Sequence, residues 1–98
     1  MAQVQAKAST ALSQRWVLCP NPAIQTTWIF GTLDQGAEIF MEMHALDGSR
    51  VEHQSLGVQG PGAFKAEVNL AGLPMGIYFV TVLGPQGPLA TVKLAVVP

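Results

Sequence analysis

The chain has 98 residues, 49% of them apolar and only 11% charged, with a net charge of -1. That length is one ordinary domain, the apolar share excludes a disordered tail, and the near balance of charge leaves little for the counterion release that drives nucleic-acid binding. A charge content this far below the average of about 25% also weakens the repulsion that keeps domains apart, so docking or homodimer formation stays open.

Residues 1–13 are small and polar and read as a flexible lead-in or linker. The first 14 residues contain no apolar core of the kind a secretory signal peptide needs. The predicted folded part is 14–98. QRWVLC at 14–19 is a short strand, stopped by Pro20-Asn21-Pro22, where two prolines remove ladder donors and Asn21 favours a turn. TTWIFGTL at 26–33 has the β-branched and aromatic content of a half-buried strand, and DQG at 34–36 turns it. AEIFMEMHAL at 37–46 alternates, with Ile39, Met41, Met43 and Ala45 on one face and Phe40, Glu42, His44 and Leu46 on the other.

Asp47-Gly48 predicts a type I′ hairpin, which needs positive φ at both central residues, with SRVEHQSL returning antiparallel and GVQGPG at 57–62 as a loop. AFKAEVNL at 63–70 alternates again. Leu73-Pro74-Met75-Gly76 then carries the residue preferences of a type I turn. The strand after it sends Tyr78, Val80 and Val82 one way and Ile77, Phe79 and Leu83 the other, apolar on both faces like the centre of a layered structure. GPQGP at 84–88 turns the chain into a last strand, LATVKLAVV, and interrupts the one run that approaches membrane-spanning length, so no membrane insertion is expected. About seven short strands and no helical window predict an all-β, immunoglobulin-like antiparallel sandwich.

Tyr78, two residues after Gly76, suits a tyrosine corner, its ring inside and its hydroxyl bonded to upstream backbone. Cys19 is the only cysteine and reads as a half-buried small hydrophobe with no activating base in its segment. His44, His53, Glu42 and Glu52 occur singly along strands rather than as three or four convergent ligands, so no metal is expected. Six scattered acids and no nucleotide-binding glycine loop predict neither a cofactor nor an enzyme. Met41, Met43 and Met75 read as core filling or a soft binding patch. Trp16 and Trp28 raise a rival reading, an adhesion or carbohydrate-binding module with exposed aromatics.

The ordered combination of PNPA at 20–23, LDG at 46–48, NLAGLPMGIYFV at 69–80 and TVKLAVV at 91–97 resembles the C-terminal sorting domain of proteins exported by the type IX secretion system of Bacteroidetes. The resemblance spans residues 16 to 97. It implies a non-catalytic domain at the C-terminal end of a larger cargo protein that carries its own N-terminal export signal. It also implies passage through the periplasm, recognition by the outer-membrane translocon, cleavage by a sortase-like peptidase, and delivery to the cell surface or medium. By position it implicates Pro20, Asn21, Pro22, Asp47, Gly48, Leu73, Pro74, Gly76, Tyr78 and Lys93 as translocon-recognition candidates. Cys19, His44, Ala45 and the Val-Val-Pro end depart from the family pattern.

Overall fold

A computed structural model describes residues 16–98; the lead-in expected at 1–13 lies outside them. The strands are β1 (Val17–Cys19), β2 (Thr26–Leu33), β3 (Ala37–Ala45), β4 (Arg50–Gln59), β5 (Gly62–Asn69), β6 (Gly76–Gly84) and β7 (Gly87–Val96). They form two antiparallel sheets, β1-β2-β5 and β4-β3-β6-β7, packed as a sandwich. The alternating residues supply the core. Ile39, Met41 and Met43 of β3, Val80 and Val82 of β6, Ile29 of β2, Val68 of β5 and Leu94 of β7 are all buried, each worth roughly 1.5–3 kcal/mol of apolar burial.

Trp16 closes the core beside β1. Its ring lies flat over Gly31, where a Cβ would come within 2.2 Å of it, and tilts against Phe64 at 5.4 Å. Only glycine leaves room for this indole. The outer face of β6 is half-buried rather than buried: Ile77, Phe79 and Leu83 are flanked by side chains of β3 and β7 but carry no layer above them among the described residues. Cys19, expected half-buried, is exposed, because its register opposite Trp28 puts it on the outer face of the three-stranded sheet.

Three local expectations give way to longer-range pairing. First, β4 runs through Gly57 to Gln59 instead of ending before a loop. Its register slips between Ile39 and Phe40, and Gly57, at φ +75°, sits at the irregularity; it is a bulge glycine. Second, the β3–β4 hairpin is not type I′, since no non-glycine residue among those described, Asp47 included, has positive φ. Gly48 N donates to Ala45 O at 2.9 Å across Leu46-Asp47, and Gly48 follows at φ +93°, the three-residue loop of a turn plus bulge. Third, the hydrogen-bonded turn before β6 is Leu70–Leu73, with Leu73 N donating to Leu70 O at 3.0 Å and Gly72 at φ +84°. A turn with positive φ at its third position needs glycine there, so the reversal settles on Gly72 rather than on 73–76.

Candidate functional site

The antiparallel order delivers the candidate recognition residues to one pole of the sandwich. Ala45, at the end of β3, is in register with Tyr78, Gly76 with Val96, and Tyr78 with Leu94. Ala23 bridges Val96, and Leu70 N donates to Gln25 O at 2.9 Å. The β1–β2 corner, the β3–β4 hairpin tip, the β5–β6 corner and the end of β7 therefore share one pole. The opposite pole holds the β2–β3 and β6–β7 turns and a cavity of about 310 Å³ walled by Trp16, Leu33, Ile39 and Leu89, remote from every recognition candidate.

At the β1–β2 corner, prolines at 20 and 22 prevent a continuous ladder, and the chain folds onto the free edge of β7. Asn21 replaces the missing backbone partner. Its Nδ2 donates to Lys93 O at 2.8 Å and its Oδ1 accepts from Ala95 N at 3.0 Å. Ala23 N donates to Ala95 O, and Val97 N to Ala23 O, each at 2.8 Å. Thr27, fully buried, donates from Oγ1 to Pro20 O at 2.6 Å. Asn21 and Lys93, 72 positions apart in sequence, thus meet through the main chain of Lys93. Its side chain is left exposed beside Phe79.

The β5–β6 corner is held by Tyr78, whose hydroxyl donates to Pro74 O at 2.6 Å while the ring is buried; this is the expected tyrosine corner. Leu73 packs half-buried against the core. Gly76 has φ +153° with open space around it, so backbone conformation alone selects glycine there. At the hairpin tip, Asp47 Oδ1 accepts from Ser49 N at 2.9 Å and Ser49 Oγ at 2.7 Å. The backbone N–H of Ser49, aided by its hydroxyl, holds the Asp47 carboxyl below its ordinary range.

Three residues of this pole carry a signal that strand patterning does not: Ile24, Leu46 and Met75 are 61%, 70% and 70% exposed. Met75 parts company with Met41 and Met43, which are core. Ile24 and Met75 sit in corners, where alternation assigns no face, and Leu46, which alternation carries on to the outer face of β3, sits in the hairpin turn. Val17, Phe30, Val58 and Leu89 are exposed elsewhere on the domain, so what marks these three is their place at the pole that carries the recognition candidates.

Away from the pole, Glu42 lies on the outer face of the four-stranded sheet. Its carboxylate is 3.1 Å from His53 Nδ1, 3.3 Å from Arg50 Nη1 and 3.8 Å from His44 Nε2, and the Phe40 ring stacks on His53. Partial desolvation raises the Glu42 carboxyl, but hydrogen bonds from His53 and Arg50 outweigh it and leave the group below its ordinary value. Glu52 is not part of this group, since its register with Met43 turns it to the other face. Among the described residues no three His, Cys, Asp or Glu side chains converge as metal ligands. The two tryptophans do not form a platform: Trp16 is buried, and Trp28 is half-buried under Lys65 Nζ, 5.2 Å from the ring centroid. No family model matches the chain, and no curated protein or solved structure is found to be similar to it.

Proposed function

We propose that the domain is a non-catalytic sorting label, read by the type IX translocon and removed by its sortase-like peptidase after carrying an N-terminal cargo from the periplasm to the cell surface or medium. The observation that carries this reading is the common pole. The corners at 20–23, 46–48 and 70–76 and the end of β7, which bear the four sequence motifs, lie together there. They also present Ile24, Leu46 and Met75 to solvent. A protein that is recognised rather than one that transforms a substrate needs a presented surface of this kind and no cleft.

The test is a reporter with an N-terminal inner-membrane export signal fused to residues 14–98 in a Bacteroidetes host. The reading expects the reporter at the surface or in the medium. Replacing Ile24, Leu46 and Met75 together with aspartate should leave the fold intact, since exposed substitutions cost within about 0.5 kcal/mol each, and should hold the fusion in the periplasm. A wild-type fusion that never leaves the periplasm overturns the label. Normal export of the triple variant overturns the pole as its reading surface.

A further inference from the structure

The two sheets differ in width: four strands face three. In the constant-type immunoglobulin arrangement the fourth strand borders the fifth, whereas here β4 pairs with β3 and leaves the place beside β5 unfilled among the described residues. The consequence is visible on β4. Glu52 and Gln54 are in register with Met43 and Met41 and so point to the core side of their sheet, yet both are exposed. The unfilled place is a groove of about 550 Å³ running from Glu52 and Gln54 along Phe64, Lys65, Ala66 and Glu67.

One wall of this groove is an unpaired strand edge. Leu70 N bonds to Gln25 O, and the β2–β5 register continues from there without a shift. Alternation therefore turns the N–H and C=O of Ala63, Lys65 and Glu67 away from β2 and into the groove. The eight residues of β5 span roughly 26 Å, a full strand length. Charge selects the occupant. Neither Glu52 nor Glu67 has an ion-pair partner among the described residues, and the Lys65 ammonium is drawn to the outer face over Trp28. Two other sheet edges are at least as long: β7 has its C-terminal half occupied by Asn21 and Ala23, and β4 is interrupted by two register shifts that break up a regular edge.

We infer that the β5 edge is a docking site for an extended segment of a partner polypeptide bearing basic side chains. The segment adds as a fourth strand beside β5, its main chain pairing with Ala63, Lys65 and Glu67, cationic groups on its core-side face meeting Glu52 and those on its outer face meeting Glu67. This inference does not depend on the sorting reading; it concerns the flank of the sandwich, not its pole.

The full chain is titrated with a capped octapeptide of repeating Lys-Lys-Val-Val, which carries Lys on both faces of a strand, and with its Glu-Glu-Val-Val counterpart, while residue-resolved amide hydrogen exchange is followed. The basic peptide should slow exchange at Ala63, Lys65 and Glu67, and the acidic one should not. Glu52→Lys should weaken the basic peptide about fivefold. Lys65→Pro should abolish binding while sparing the β2 pairing, because the N–H it removes points into the groove. If Lys65→Pro does not fold, Glu52→Lys still decides. Absence of binding at millimolar peptide, protection on β7 instead of β5, or an affinity indifferent to Glu52→Lys overturns the site. Concentration-dependent protection of β5 without peptide makes the occupant a second copy and overturns the basic partner.

Discussion

The two flanks of the sandwich start from the same problem, an edge strand with unpaired backbone, and end in opposite states. On the β7 flank, Asn21 and Ala23 together engage Lys93 O, Ala95 N, Ala95 O and Val97 N. On the β5 flank nothing comparable arrives among the described residues, and the polar side chains that line it bond locally or face water, as with Gln59 Nε2 donating to Leu56 O at 2.7 Å. The difference lies in one amide and two prolines. Proline at 20 and 22 forces the chain out of its own ladder, and Asn21 between them offers a donor and an acceptor with the spacing of a peptide group. An edge is sealed here by hydrogen-bond geometry, not by apolar area.

The contrast can be broken most severely at Gly31, which lets Trp16 lie against β2 beside the sealed flank. Gly31→Val should cost about 3 kcal/mol in urea unfolding, since a side chain there must displace the indole; wild-type stability would mean that Trp16 is not packed as described. Asn21→Ala removes two of the sealing hydrogen bonds and should cost about 1.5 kcal/mol. The matched change on the open flank, Gln54→Ala, should stay within about 0.5 kcal/mol, so equal losses at the two positions would erase the asymmetry. Tyr78→Phe, next to the sealed flank at the recognition pole, leaves Pro74 O without its donor and should cost about 1 kcal/mol.

The smallest effect is that of pH. Glu42 and Asp47 both have depressed folded-state pKa values relative to their ordinary 4.5 and 3.8. A depressed carboxylate binds fewer protons folded than unfolded, so its contribution is complete above the ordinary value and is lost as pH falls through the folded one. Thermal melts should therefore show a small loss below pH about 4, absent from a Glu42→Gln, Asp47→Asn double variant. A double variant that loses stability over the same range as the wild type would contradict the assignment.

What the sequence made legible follows the range of the forces involved. TTWIFGTL matches β2 residue for residue, and the alternation of AEIFMEMHAL assigns the buried face of β3 correctly, because strand periodicity is local. Tyr78 was readable for the same reason: its acceptor, Pro74 O, is four residues upstream. The bulge at Gly57, read as the start of a loop, and the turn at Gly72, placed instead on 73–76, were not legible because a glycine in a bulge, a turn or a loop looks alike until the partner strand fixes the register. The sealing role of Asn21 was not readable at all, since its partners lie 72 and 74 positions away. Leu46, carried by alternation to the outer face of β3, and Met75, read as core filling or a soft binding patch, are exposed corner residues, and Ile24 carried no signal, because side chains in corners follow no period.

Native-state amide exchange on the unliganded full chain tests the sealed and open flanks in a single experiment. The amides of Ala95 and Val97, which donate to Asn21 Oδ1 and Ala23 O, should exchange slowly, while those of Lys65 and Glu67 on the bare β5 edge should exchange near the rate of an unprotected strand. Rapid exchange at Ala95 and Val97 together with protection at Lys65 and Glu67 would contradict the account.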